Sequence, residues 1–518
     1  MTTPDSTDTT PTTDARTLAR SAPADVGIPA SALLAVLDAL QDKGLELHSL
    51  MVLRRGQVAT EGWWAPYSRN RIHLLYSLSK SFTSTAVGFA VDEGLCALTD
   101  RLVDLLPDHV PDDLDPRVAA LTLHDVLSMS AGHHVDALGP AWSLEPDDLA
   151  KGFFRVPPEE KPGTYFAYSQ PCTFVAGLVV QEKSGQFLLD YLTPRLLEPL
   201  GIVPGRWDAD AHGNALGFSG LHQRTEDLAR LGQLLLQKGV WRGRQLLPAG
   251  WVELATRKQV ANDLDPATNP DWSQGYGYQY WMARHGFRGD GAYGQFCVVV
   301  PEADLVVVST ACAEDMQAIL DVLWDVLLPA LDTSDTGEAA AAAELTDRLA
   351  ALALPVVAPS VDGPRETRTF AVPSPNDGQA SPYAGRTLAF PTAAEAPLAS
   401  GASLTVTPDG ADSLLEITLP DGVVLSVPCG RDHWAEGALG AAAGMSRGAQ
   451  GMPPMTPTPV VCRGGWTSAD TFEADLVLIE TPHRIRLLGK GVANSPILES
   501  AWNTVPLTGA RLEAHLPW

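Results

Sequence analysis

An extended apolar entry, Leu74-Leu75-Tyr76, meets Ser77-Leu78-Ser79-Lys80, and an apolar run follows through Ala86, Val87, Phe89, Ala90 and Val91. The run has helical character, which puts Ser77 at or near a helix N-terminus. Lys80 then lies one turn along on the same face, because positions three apart are helix neighbours. A serine so placed has two assets. Backbone N–H groups and the positive end of the helix dipole favour negative charge at its oxygen. An amine also stands within reach to take or relay its proton, as a weak hydroxyl nucleophile requires. Ser-x-x-Lys fixes only two positions, so the reading needs partners elsewhere in the chain.

At 518 residues the chain exceeds one ordinary core, and two or three domains are expected. A net charge of −26 argues against nucleic acid or an anionic membrane as a partner. The polar, acidic start lacks the apolar stretch of a secretory signal. No apolar run approaches the roughly 20 residues of a membrane span. Six cysteines are scattered without C-x-x-C spacing, which reads as free buried thiols in a reducing compartment, the cytoplasm.

Residues 1–20 are rich in Thr, Asp and Pro and read as a disordered tail. Residues 28–45 read as an amphipathic helix, and 48–59 as a hairpin turning at Arg55-Gly56. Residues 121–132 read as a helix closed by Gly132. After the Pro162-Gly163-Thr164 turn come an aromatic cluster and a helix from Thr173, and Thr225 opens another helix. Residues 275–281 alternate Gly with Tyr and Trp and read as a strand; 295–300 and 305–310 read as antiparallel neighbours. A break at 332–338 precedes an Ala-rich helix over 339–354, and short alternating runs from 366 onward have an all-β signature. The expected organisation is a tail over 1–20, a mixed domain over 21–331, a linker with a helix over 332–365, and an all-β domain over 366–518. Residues 437–455 read as a long loop within the last, whose Trp434, Trp466, Trp502 and Trp518 are candidates for its core or its contact with the first domain.

Partners for the serine can be sought among these segments. Tyr168 is the candidate second proton carrier: a phenol beside a lysine ammonium has its ionised form favoured and can act as a base. The alternative is an ordinary core or rim tyrosine. The glycine-rich edge Arg288-Gly289-Asp290-Gly291-Ala292-Tyr293-Gly294-Gln295 suits an oxyanion site, since glycine lets backbone approach a substrate closely.

Ser77-x-x-Lys80, then Tyr168-Ser169-Gln170, then Gly289–Gly291 come in an order and spacing that resembles the serine β-lactamase and penicillin-binding-protein superfamily. The similarity is greatest to its class C-like esterases and its D-amino-acid amidases or peptidases. LTLHDVLSMSAGH and GLHQRTEDLARLGQLLLQKG resemble the family's flanking helices, and the likeness covers roughly 21–331. It implies an α+β fold: a five-stranded antiparallel sheet flanked by helices, with a helical lobe, and the site between them. It also implies roles. Ser77 resembles the acylated nucleophile, Lys80 its base or relay, and Tyr168 the proton shuttle. The N–H groups of Ser77 and Ala292 resemble the oxyanion hole.

Two departures narrow the substrate. Gln170 stands where the family often has Asn. Gly289-Asp290-Gly291 replaces Lys-Thr-Gly or His-x-Gly, so no cation is placed to grip a carboxylate, and Asp290 repels anions unless Arg288 offsets it. The expectation is a serine hydrolase cleaving an ester or amide of a small, neutral molecule through an acyl-enzyme, with no cofactor and no metal. An acyltransferase, peptide cyclase or D-aminopeptidase on the same fold, or a degenerate binding protein, are the alternatives.

Several motifs carry blander readings. Lys183-Ser184-Gly185 reads as a helix C-cap. Gly444-Met445-Ser446-Arg447-Gly448 matches a G-x-S-x-G elbow without the strand and helix that motif needs. Gly289-x-Gly291-x-x-Gly294 precedes a strand, not a helix, so it lacks a phosphate-binding dipole. His133 and His134 have no third metal ligand in view. Glu226-Asp227 reads as decoration of a helix N-terminus. Half of Tyr165, Phe166, Tyr276, Tyr278, Tyr280 and Trp281 are expected in the core, the rest lining an acyl pocket.

Overall fold

A computed structural model of the chain describes residues 17–262, 264–333, 337–373, 396–440, 457–491 and 496–516. The first domain is built on a six-stranded antiparallel sheet in the order β2-β1-β6-β5-β4-β3. Its strands are β1 (Leu47–Arg54), β2 (Gln57–Trp63), β3 (Trp281–Met282), β4 (Phe287–Gly291), β5 (Gln295–Val300) and β6 (Leu305–Ala311). The resemblance implied five strands. The sixth is the two-residue edge β3, paired to β4 through Trp281–Arg288 and Met282–Phe287.

The period-two rule sorts the side chains of β1 between two cores. Leu50 and Val52 join α1 (Ala30–Asp42) and the 316–330 helical segment on the back face. Met51 and Leu53 join α2 (Ser79–Asp92), α3 (Gln170–Ser184) and α4 (Thr225–Leu236) on the site face. In α4 only glycine fits at 232: a Cβ there would lie 2.6 Å from Val306 Cγ1 and 2.9 Å from Cys297 Sγ. The Ala-rich segment is the helix α5 (Glu338–Ala350), which buries Leu345 in the back-face core. It is therefore packed on the first domain and is no free linker. Both carboxylate oxygens of Glu338 accept from the N–H of Ala30, at 3.1 Å each, so α5 caps α1.

The second domain is a nine-stranded sheet, β7 (Arg368–Ala371), β8 (Ser403–Asp409), β9 (Asp412–Thr418), β10 (Val424–Cys429), β11 (Ala435–Leu439), β12 (Thr458–Trp466), β13 (Thr471–Val477), β14 (Arg484–Lys490) and β15 (Ile497–Trp502). Its order is β10-β9-β8-β7-β15-β14-β13-β12-β11, and all pairs are antiparallel except β7–β15. The sheet curls back on itself. Gly430, just past β10, takes a 3.0 Å bond from Gly464 N and gives one of 3.2 Å to Cys462 O in β12. Every second residue points inward, as in Leu498, Ser500 and Trp502 of β15. Trp466 and Trp502 lie in this core, and Trp434 packs on a small cluster with Tyr67, Leu354 and Ile479 where the two domains meet.

Some expectations need correction. Residues 17–20 are not free: Leu18 is buried and Arg20 pairs with Glu61 and Glu226; the rest of the tail, 1–16, lies outside the described residues. The Gly/Tyr run at 275–281 is not a strand. Gly275 at φ +108° and Gln279 at φ +66° fold it into a tight loop, and only Trp281 enters the sheet. The helix expected over 121–132 is Leu123–Leu127, stopped by Met129 at φ +57° before Gly132 is reached. Residues 437–439 belong to β11, not to a loop; 441–456, with Gly444–Gly448, and Trp518 lie outside the described residues. Lys183-Ser184-Gly185 is indeed a C-cap, Gly185 at φ +68° bonding Gln181 O. All six cysteines are buried and unbridged. No helix among the described residues is long and apolar enough to cross a membrane.

Candidate active site

Ser77 sits in a single 3-10 turn (Tyr76–Leu78) that leads into α2. Tyr76 adopts φ +48°, a region costly for a residue with a side chain, on the order of 1 kcal/mol. The turn is tied from within by Ser79 Oγ, which donates to Tyr76 O at 2.6 Å. Lys80 follows one turn later, as its spacing requires, and is 1% exposed. Its nitrogen donates to Ser77 Oγ at 3.0 Å, Gln170 Oε1 at 2.6 Å and Phe218 O at 2.9 Å. Three acceptors suit an ammonium. Burial opposes it and pushes the pKa down to about 7, against the pull of Asp136 and Asp290. Amine and ammonium therefore coexist near neutral pH.

Tyr168 comes in on the loop before α3, near enough to Ser77 for the serine to bear on its acidity. Its ring stacks on Trp281 at 5.3 Å and meets Tyr276 edge-on, and Lys80 Nζ lies 4.8 Å from its centre. The expected sign of its acidity is reversed. Burial, then the Asp290 carboxylate, push the phenol well above its ordinary value, outweighing the opposing influence of Ser77. Tyr168 thus keeps its proton at neutral pH, and of the two Lys80 is the one whose free-base form is populated there. Gln170 opens α3; its side-chain oxygen is occupied by Lys80, and its N–H donates to Asp136 Oδ1 at 3.0 Å.

Strand β4 presses its glycines against the Ser77 turn. A Cβ on Gly291 would overlap Leu75 O, and one on Gly289 would overlap Ser81 Oγ and Leu78 Cδ1. A side chain at 289 would have to displace the ends of Ser81 and Leu78. Ala292 follows directly, so its backbone belongs to the corner that faces the 75–77 segment. Arg288 and Asp290, two apart on one face of β4, form an ion pair at 3.1 Å with side-chain exposures of 0% and 7%. Arg288 offsets the charge of Asp290, as the sequence allowed, and also donates to Asp271 O at 2.9 Å and lies over Trp272.

Phe218 O, Asp136, Trp272 and Tyr76 were not singled out in the sequence as part of this site. Phe218, Asp136 and Trp272 lie in loops far from Ser77 in sequence, and Tyr76, though adjacent to it, carries no pattern that marks its backbone strain. Of the aromatic residues, Tyr276, Tyr278, Tyr280 and Trp281 are buried, while Tyr165 and Phe166 are partly exposed. His133 and His134 are engaged by Val156 O and Glu160, and no group of three or more His, Cys, Asp or Glu among the described residues could hold a metal ion. Glu226 and Asp227 do more than decorate α4: both are buried and pair with Arg230.

The chain is 25% identical over 289 residues to 6-aminohexanoate-dimer hydrolase of Paenarthrobacter ureafaciens, a match covering 52% of this chain and 73% of that protein. It is 27% identical over 165 residues to lovastatin esterase of Penicillium rubens, covering 27% of this chain and 41% of the esterase. The octameric penicillin-binding-protein homologue of Pyrococcus abyssi aligns over 91% of this chain and 99% of its own, with a TM-score of 0.43 and 13% identity. The family model described as Beta-lactamase matches residues 35–315. That span is more than half of the chain: this protein belongs to the Beta-lactamase family and is a serine hydrolase.

Proposed function

We propose that the protein cleaves an ester or amide of a small, neutral substrate through a covalent acyl-Ser77 intermediate. The observation that carries the reading is the 3.0 Å contact of Lys80 Nζ with Ser77 Oγ, in a burial that brings the amine to about 7, with the Tyr168 ring centre 4.8 Å from the same nitrogen. Lys80 takes the Ser77 proton as Oγ attacks the carbonyl carbon. The carbonyl electron pair moves to its oxygen, which the N–H groups of Ser77 and Ala292 receive; such donors are worth on the order of 100-fold in rate. Collapse restores the carbonyl and expels the alkoxide or amine, which takes its proton from Tyr168. The Lys80 ammonium returns a proton to Tyr168. Water then attacks the acyl carbon and gives up a proton to Lys80, whose ammonium passes it to Ser77 Oγ as the acyl–oxygen bond breaks, releasing the acid and restoring both groups.

Neutrality of the substrate rests on β4. Gly289 supplies no cation and packs against Ser81 and Leu78, and Arg288 is held by Asp290. The relatives 6-aminohexanoate-dimer hydrolase and lovastatin esterase are both hydrolases, which supports a hydrolytic reading and leaves the ester or amide leaving group to the test below. The test is a screen of p-nitrophenyl esters and aminoacyl anilides with fluorophosphonate labelling. The unaltered protein is expected to label at Ser77 and turn over a member of the panel, and Ser77→Ala to do neither. Label at another residue would overturn the assignment.

A further inference from the structure

We infer that the C-terminal domain positions the oxyanion-binding N–H groups of Ser77 and Ala292, by holding the hydroxyls of their chain neighbours Tyr76 and Tyr293. The inference rests on the role proposed above for Ser77. Tyr76 precedes one donor and Tyr293 follows the other. Both are non-glycine residues in the left-handed region, at φ +48° and +69°. Backbone persists there only where its surroundings fix it.

The fixing atoms come from the far domain. Tyr76 hydroxyl meets His483 Nε2 at 2.5 Å, across 407 positions of sequence. Tyr293 hydroxyl donates to Val505 O at 2.7 Å. His483 is oriented in turn: its Nδ1–H donates to Thr504 O at 2.9 Å, which leaves Nε2 as an acceptor for Tyr76. The three rings pack edge to face, Tyr76–Tyr293 at 5.5 Å, Tyr76–His483 at 5.9 Å and Tyr293–His483 at 5.4 Å. The segment entering the nucleophile turn is tied as well, Leu74 N donating to Glu480 O at 2.7 Å. Burial lowers the His483 pKa to about 3, so the acceptor stays neutral across the working range. One small cluster therefore sets both walls of the oxyanion corner, and the residues that clamp it belong to a domain with no reacting group. His483 touches no reacting atom; it is a positioning residue. Preorganised donors must sit within about half an ångström of the productive geometry, and a misplacement of about 1 Å costs on the order of 100-fold.

The test uses the full-length protein and five variants: Tyr76→Phe, Tyr293→Phe, His483→Gln, His483→Leu and the pair Tyr76→Phe/His483→Leu. The readouts are the rate of fluorophosphonate labelling at Ser77, located by mass spectrometry, and kcat and KM on a p-nitrophenyl ester. Tyr76→Phe and Tyr293→Phe remove one oxygen each. Both are expected to lower kcat and the labelling rate by about ten- to a hundred-fold with little change in KM. His483→Gln keeps an acceptor and is expected to retain more of the rate than His483→Leu. The pair is expected to be no slower than its worse single variant, because one contact is removed twice. Variants that label Ser77 as fast as the unaltered protein, whatever their Tm, overturn the positioning claim and leave the nucleophile assignment standing. Absence of label at Ser77 in the unaltered protein overturns both.

Discussion

The Gln170 side-chain oxygen takes a 2.6 Å hydrogen bond from Lys80, the shortest of the three that the lysine makes. That bond favours the ammonium and works against the burial that brings the pKa to about 7. The rate of a Lys80-dependent acylation should rise with pH through about 7 as the amine is freed. Replacing Gln170 by Leu removes an acceptor for the charged form, so the midpoint of that rise should move to lower pH. A pH profile of kcat/KM for the two proteins checks it; an unmoved midpoint separates Gln170 from the titration.

The Arg288–Asp290 pair is buried, and removing one partner of such a pair typically costs about 3–5 kcal/mol, because the other is left charged and unpaired. Asp290→Leu is expected to be destabilised by that order. Arg288→Met/Asp290→Leu should recover part of the loss. Urea unfolding at neutral pH compares them, and a double variant less stable than Asp290→Leu contradicts the account.

Gly291 is expected to tolerate no side chain. A methyl group there meets Leu75 O, which leads into the nucleophile turn, so the strand or the turn must move. Gly291→Ala should lose most Ser77 labelling while still folding, with a lowered Tm. Labelling at the full rate would mean that β4 does not constrain the turn.

His109 lies between Asp148 Oδ2 at 2.8 Å and Glu182 Oε1 at 2.9 Å. Hydrogen bonding to Asp148 first, with Glu182 also contributing against partial burial, raises its pKa to about 9. The unfolded value is about 6.5. The raised native pKa means that this contact stabilises fully below about 6.5 and is lost as pH climbs through about 9. The Tm gap between the unaltered protein and His109→Gln should be widest at pH 6 and close by pH 10. A gap constant over that range removes the charge from the explanation.

The chemistry of Ser77 and Lys80 was legible because it depends on a spacing of three along one helix, which sequence states directly. Strands β5 and β6 were legible as apolar runs either side of the Pro301–Asp304 turn, and the β8, β9, β10 and β13 runs by alternation. Residues 275–281 alternate just as well and still form a loop, because the backbone turns left-handed at Gly275 and Gln279 and alternation does not encode that. The acidity of Tyr168 was misjudged for a different reason. Its nearest charge could be guessed from the motif, but its burial among Trp281 and Tyr276 could not. His483 had no signal at all: its partner Tyr76 is 407 positions away, and no local pattern predicts such a contact.

The cap that Glu338 places on Ala30, 308 positions earlier, has a consequence for how the chain emerges from the ribosome. The first helix and strand β1 are made early, yet β1 pairs with β6, and the helix is closed only once residue 338 has left the exit tunnel. Vectorial synthesis therefore offers little early reward. More than three hundred residues must wait, with apolar faces uncovered, before the first domain can shut, and a nascent chain of this kind has reason to need chaperone protection in the interval.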